Sequence, residues 1–136
     1  MFERRDRRAA AEWSRFASHA AHYDLEIVTV VEVYQLAHHG TKALVTLHGE
    51  PLFRDAWFWW DRVRAGTTVA VALSSGYGPH THRDGVIYIG GQQSGSGVYD
   101  SVSARTLRHA QRHHRRAASS GSPDPARTAT PHVTAT

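Results

Sequence analysis

Residues 57–60 read Trp-Phe-Trp-Trp, so three of the four tryptophans of this 136-residue chain lie in one four-residue run. A packed aromatic side chain buries roughly 150–250 Å². The run must therefore dominate either the core or a binding surface of the fold that contains it. Exposure of all four rings would create an apolar patch of a kind that usually marks an interaction site.

The segment 52–64 around this run fits two secondary structures. Its apolar residues recur at about the 3.6-residue period of a helix. A strand also fits, because a loop at Arg64-Ala65-Gly66 would set large side chains opposite small ones in segment 67–74. That hairpin would pair Trp57 with Leu73, Trp59 with Val71, Phe58 with Ala72, and Trp60 with Ala70. We predict the strand and keep as the alternative an α+β sheet in which residues 52–64 are helical.

Other segments also have the features of short strands. Residues 25–36 are apolar on both faces, which is typical of a central strand. After a turn at 38–41, residues 42–48 alternate apolar and polar positions, as do residues 67–74. Asp84-Gly85 favours a type I′ turn that would pair 80–83 with 86–89.

Helices are predicted on both sides of these strands. Apolar residues at steps of three and four indicate an N-terminal amphipathic helix, for which Asp6 is the expected N-cap and the first, arginine-rich turn is expected to fray. Asp100 or Ser101 is expected to cap a second, basic helix. The predicted organisation is a helical segment 1–22, a β core 23–91, a flexible Gly/Ser linker 92–99, a basic helix 100–117 and a disordered tail 118–136.

These elements predict a mainly β fold of the α+β class. A small five-stranded antiparallel barrel or strongly bent sheet, OB-like or SH3-like, accommodates them because closure removes exposed strand edges. An α+β sheet with both helices on one face is the alternative architecture. No motif in the sequence is specific enough to indicate a family.

The charge of the chain is unevenly distributed. Residues 1–22 carry five basic and three acidic side chains, residues 23–100 carry five and eight, and residues 101–136 carry six and one. The basic groups of the flanks therefore predict that any polyanion contact is made by the ends of the chain. No apolar stretch approaches the roughly 18 residues of a membrane-spanning helix, so we expect a cytoplasmic protein without a membrane partner.

The terminal helix is the main candidate for nucleic-acid binding, because arginines cover most of its circumference and would displace counterions from phosphates. The candidate contacts are Arg105, Arg108, Arg112, Arg115 and Arg116. Exposed rings could add stacking on single-stranded bases. The candidate aromatic face consists of Phe58, Trp60 and Tyr77.

Metal binding and catalysis have weaker support from the sequence. His80 and His82 would share one face of a strand, and with His48 as a third ligand they could hold a divalent metal such as zinc; no other cofactor is indicated. The absence of cysteine excludes disulfides and thiolate chemistry, and no nucleophile elbow or paired carboxylates indicate an enzyme.

Three functions remain open at this point. The first is a non-enzymatic β-barrel module that contacts nucleic acid through its basic C-terminal helix. The second is an interaction or assembly component, such as an accessory protein of a phage or mobile element, that uses the aromatic run as an interface with a protein partner or a second copy. The third is a metal-dependent small-molecule enzyme built on His80 and His82.

Overall fold

The computed structural model of the protein describes residues 2–74 and 85–121, which form two helices and six strands. The helices are α1 (Phe2–His22) and α2 (Ala104–Gly121). The strands are β1 (Glu26–Ala37), β2 (Gly40–Leu47), β3 (Phe53–Trp59), β4 (Thr68–Val71), β5 (Val86–Ile89) and β6 (Val98–Val102). Of the hairpin predicted at Asp84-Gly85, the structure describes Gly85 and residues 86–89. Residues 80–84 and most of the predicted tail lie outside the described residues.

All six strands belong to one curled sheet, a half-barrel with the order β5-β3-β2-β1-β4-β6. Four neighbouring pairs are antiparallel, and β3 pairs with β5 in parallel. The mainly β, α+β class predicted from the sequence is therefore confirmed. The predicted sheet differs in two respects, since the described residues contribute six strands rather than five and the pairing is mixed rather than wholly antiparallel.

The segment around the aromatic run is a strand, so the helical alternative for 52–64 is wrong. Its predicted hairpin partner is also wrong, because β3 pairs with β2 and β5 whereas β4 pairs with β1 and β6. Gly66 does not close a β3–β4 hairpin. Its backbone N–H donates to the carbonyl of Val30, 2.7 Å away, and so directs the chain onto β1.

The close pairing of β2 with β3 depends on the glycine at the start of β2. Gly40 lies opposite Trp59, and a Cβ atom at this position would come to 2.0 Å from the backbone oxygen of Phe58. No side chain fits in that space, so only glycine allows this approach. Gly40 follows the turn at His38-His39, where the sequence also predicts a turn.

The main core lies on one face of the half-barrel, where Val28, Val30, Val45, Phe58 and Ile89 are buried together. Helix α1 covers part of the opposite face, and there Phe16 and Ala20 pack against Ala70 and Val102. Because side chains alternate along a strand, Trp57 and Trp59 lie on the opposite face of β3 from Phe58. These two indoles form a third buried cluster with Tyr88 of β5.

Both helices have boundaries that differ from the sequence predictions. Helix α1 begins at Phe2, so the arginine-rich first turn is helical and Asp6 lies inside the helix rather than at its cap. Helix α2 begins at Ala104, and the Ser103 hydroxyl caps it by accepting the N–H of Thr106 at 3.1 Å. The expected cap at Asp100 or Ser101 is wrong because residues 98–102 pair with β4 as β6. Strand β6 therefore occupies the end of the predicted linker and the start of the predicted helix.

Candidate nucleic-acid interface

The two helices lie side by side and run in opposite directions. Glu3 and Arg7, near the start of α1, line the same cleft as His113 and Arg116, near the end of α2. Further along, Trp13 of α1 shares a second cleft with residues nearer the start of α2, Leu107 and Ala110. The beginning of α1 is thus placed against the end of α2, and the two basic flanks of the sequence meet in space.

A buried carboxylate joins the helices. Asp6 is fully buried, and its two oxygens each have a partner on α2. Oδ1 lies 2.9 Å from Nδ1 of His109, and Oδ2 accepts a hydrogen bond from Nη2 of Arg116 at 2.9 Å. Residues 109 and 116 are seven positions, or about two turns, apart and hence on one face of α2. The side chain of Asp6 therefore contacts α2 at two points along the helix.

Opposing effects act on the pKa of Asp6. Burial alone would raise the pKa, because it penalises the charged form. The hydrogen bonds from His109 and Arg116 and the positive charges of Arg112 and Arg116 outweigh burial, and the pKa lies below its ordinary value of 3.8. Asp6 is therefore ionised at neutral pH and is the anion that α1 places against the cationic side chains of α2.

Most of the arginines predicted to bind nucleic acid are exposed. Arg105, Arg108, Arg112 and Arg115 reach solvent. Arg116 differs from these four because it binds Asp6, although 39 % of its side-chain surface remains exposed. The structure thus gives Arg116 a role in positioning the helices that the sequence did not indicate.

Helix α1 adds a second group of arginines to the same layer. Arg4, Arg5, Arg7 and Arg8 are all exposed near its start, which is the end that packs against the end of α2. Together the two helices contain ten arginines against three carboxylates, and one of these carboxylates is the buried Asp6. We call the exposed surface of α1 and α2 the basic helix layer.

The sheet carries charge of the opposite sign. Tyr34 on β1 has a raised pKa, caused first by desolvation and then by the negative charge of Asp55, a hydrogen bond with Asp55 and the charge of Glu32. The charges of Asp55 and Glu32 therefore make the potential beside Tyr34 negative, in addition to the larger effect of desolvation. A polyanion would be drawn to the basic helix layer rather than to this part of the sheet.

The predicted aromatic face is only partly available. Phe58 is wrong as an exposed stacking residue, because it is 0 % exposed and packs in the main core opposite Thr41. Tyr77 lies outside the described residues. Trp60 is 42 % exposed. It is the one ring of the run 57–60 that another molecule could contact.

The candidate metal ligands are not brought together within the described part of the chain. His48 is exposed beside Trp13, with ring centroids 5.9 Å apart. His80 and His82 lie outside the described residues. Among residues 2–74 and 85–121, no group of three or more His, Asp or Glu side chains is placed to hold a metal ion, and the zinc hypothesis stays a prediction.

One sequence signal could have revealed the helix-to-helix contact. Asp6 occupies the same side of α1 as Ala9, Ala10 and Phe16, all of which are buried. A carboxylate on an apolar stripe needs a cationic partner, because an unpaired buried charge is very costly. Assignment of Asp6 as a helix cap obscured this signal.

Comparison of the chain with protein-family models, with curated proteins and with solved structures finds no match. Neither helix of the described residues combines the length and apolar character that crossing a bilayer requires.

Proposed function

We propose that the protein binds nucleic acid through the basic helix layer, without strong sequence preference. The observation that carries this proposal is the antiparallel pairing of α1 and α2 through Asp6, which gathers two arginine groups from opposite ends of the sequence into one surface. Arginines that neutralise phosphates release condensed counterions, and this release drives sequence-independent binding.

The composition of α2 favours nucleic acid over a membrane as the polyanion. An amphipathic helix that binds a bilayer needs an exposed apolar face to insert among the lipids. In α2, Ala110 is buried and Leu107 is half-buried in the cleft beside Trp13. The exposed positions described in α2 carry no large apolar side chain, since they are Arg105, Arg108, Gln111, Arg112, His114, Arg115, Ala117, Ala118 and Ser119. Helix α2 therefore has little to insert.

We also propose that the half-barrel is OB-like, in keeping with the sequence prediction. Support comes from the order β5-β3-β2-β1-β4 and from the single antiparallel bridge between Leu73 and Ile89, which brings the chain just after β4 next to β5. OB-folds are partly open five-stranded barrels that commonly bind oligonucleotides. In this interpretation β6 and the two helices are additions to a five-stranded barrel.

A salt titration of binding to a fluorescein-labelled deoxythymidine strand of roughly 12 nucleotides, within the usual range of one OB-type site, tests the proposal. We expect the logarithm of the association constant to fall linearly with the logarithm of salt concentration, with a slope of about −0.7 per phosphate contacted on a single strand. An association that does not change with salt, or no association at low salt, would contradict the proposal.

A further inference from the structure

Trp60, the last residue of the aromatic run, is exposed yet held in place by several contacts. Its backbone N–H donates to the carbonyl of His39 at 2.6 Å, and its indole N–H donates to the carbonyl of Gly91 at 3.0 Å. The rings of His39 and Trp59 lie 5.4 and 5.8 Å from its own. The indole is therefore tied to both the β1–β2 turn and the connection between β5 and β6.

The neighbouring residue strengthens this arrangement. The backbone oxygen of Asp61 accepts a hydrogen bond from the buried Thr41 hydroxyl at 2.6 Å, and its carboxylate accepts one from Ser96 at 2.6 Å. The connection between β5 and β6 contains both Gly91 and Ser96. It is itself stabilised, because Gly91 and Gly95 exchange two backbone hydrogen bonds of 2.9 Å. These hydrogen bonds therefore fix the position of the backbone around Trp60.

The backbone of Trp60 is in a conformation that large residues seldom adopt. Its φ is +68°, in the left-handed region, where a bulky side chain is an outlier that costs on the order of 1–3 kcal/mol. Glycine would meet the backbone requirement without this cost. The chain nevertheless has a tryptophan here, and 42 % of the residue's surface remains in solvent, so part of the ring can contact a ligand.

Exposed arginines lie in the chain between Trp60 and the point where Gly66 approaches α2. Arg62 and Arg64 follow Trp60 in sequence, and both are exposed. Gly66, two residues further on, lies against the first residue of α2, since a Cβ atom at Gly66 would be 3.0 Å from Cβ of Ala104. The exposed Arg105 comes next on α2. A phosphate backbone bound to the helices could follow these arginines to the indole.

We propose that Trp60 is a stacking platform for a base of single-stranded nucleic acid whose phosphates bind Arg62, Arg64 and the basic helix layer. This inference rests on the proposed function and narrows its ligand class to single strands, because the bases of a duplex have their faces occupied by neighbours. Stacking tolerates any base, since each has a π face, and this agrees with binding that lacks strong sequence preference.

The test compares two labelled strands of roughly 12 nucleotides, one of deoxythymidine and one with abasic sites throughout. Both present phosphates, but only the first presents bases. We expect Trp60→Ala to weaken binding of the deoxythymidine strand roughly 5- to 150-fold and to leave binding of the abasic strand unchanged. Trp60→Phe should restore most of the affinity, and Tyr99→Ala, which removes a ring that is 61 % exposed on β6, should have no effect.

Trp60→Gly controls for misfolding of the alanine variant, since glycine adopts this φ without strain. We expect Trp60→Gly to lose affinity for the deoxythymidine strand to the same extent as Trp60→Ala. If wild-type protein binds with a salt slope but neither variant loses affinity for the deoxythymidine strand, the stacking inference is wrong and the proposed function stands. Equal, Trp60-independent binding of a duplex of the same length would also overturn the inference. If wild-type protein binds neither strand nor the duplex, both proposals are wrong.

Discussion

Asp6 and His109 are 103 residues apart in the chain, yet Oδ1 of the first lies 2.9 Å from Nδ1 of the second. The same carboxylate also binds Arg116, so the position of α2 on α1 depends strongly on one buried side chain. The arrangement of the basic helix layer follows from this contact.

Replacement of Asp6 by alanine should destabilise the protein. The substitution removes the carboxylate that pairs with Arg116 and with the His109 ring, only 13 % of whose side chain is exposed. Loss of one partner of a buried ionic contact is costly. We expect the melting temperature to fall on the order of 10 °C. Glu12→Ala, which removes a carboxylate from the same helix, is the matched control, and differential scanning calorimetry is the measurement. Equal melting temperatures for the two variants would contradict the role of Asp6.

Acid should weaken the same contact. Because the folded-state pKa of Asp6 lies below its ordinary value of 3.8, the folded state binds a proton on this carboxylate less readily than the unfolded chain does. Its stabilising contribution is therefore complete above the ordinary pKa and is lost as pH falls through the folded-state pKa. Thermal unfolding between neutral pH and pH of about 2 should show this loss in the wild-type protein.

The Asp6→Asn variant serves as the reference for that titration. An amide cannot ionise in this range, so the difference in melting temperature between wild type and Asp6→Asn should be largest near neutral pH and should shrink in acid. A difference that stays constant over the whole range would show that the charge of Asp6 does not contribute to stability.

Two glycines with positive φ should respond differently to alanine. A Cβ atom at Gly40 would meet the backbone oxygen of Phe58, whereas a Cβ atom at Gly49 has no heavy atom outside its immediate chain neighbours within 4 Å. Gly49 has a φ of +86°, so Gly49→Ala should cost only about 1 kcal/mol of backbone strain. Gly40→Ala must in addition separate β2 from β3, and we expect it to be far more destabilising. Urea unfolding of both variants measures the difference, and equal costs would contradict the account of the β2–β3 pairing.

Local sequence patterns predicted the elements better than their pairing. The aromatic run was predicted as a strand only by assuming a hairpin partner that is wrong. The β-branched residues of β1 and the turn at His38-His39 were evident from the sequence alone. The strands that pair with β3 could not be predicted, because Gly66 fits a hairpin loop as well as it fits the observed contact with Val30. Only the whole sheet decides between the two.

The candidate site was predictable to a similar extent. Composition located the arginines of α2, four of which are exposed, and their contact with nucleic acid stays a prediction. The sequence did not reveal that α1 and α2 are antiparallel neighbours, because this depends on the contacts of Asp6 across the length of the chain. It also failed to separate Phe58 from Trp60, because strand alternation would put both rings on one face. The strand instead ends at Trp59, and the left-handed backbone of Trp60 changes the direction of its side chain.

The central claim is that the basic helix layer binds nucleic acid, and the most direct test removes two of its charges. Arg108 and Arg115 are exposed and seven residues apart on α2, and neither takes part in the contact with Asp6. If both contact phosphates, Arg108→Gln combined with Arg115→Gln should reduce the magnitude of the salt slope on a single strand by about 1.4. Lys42→Gln combined with Arg54→Gln removes the same charge from β2 and β3 and is the matched control. A slope in the helix variant equal to that of the wild type and the control would contradict the claim.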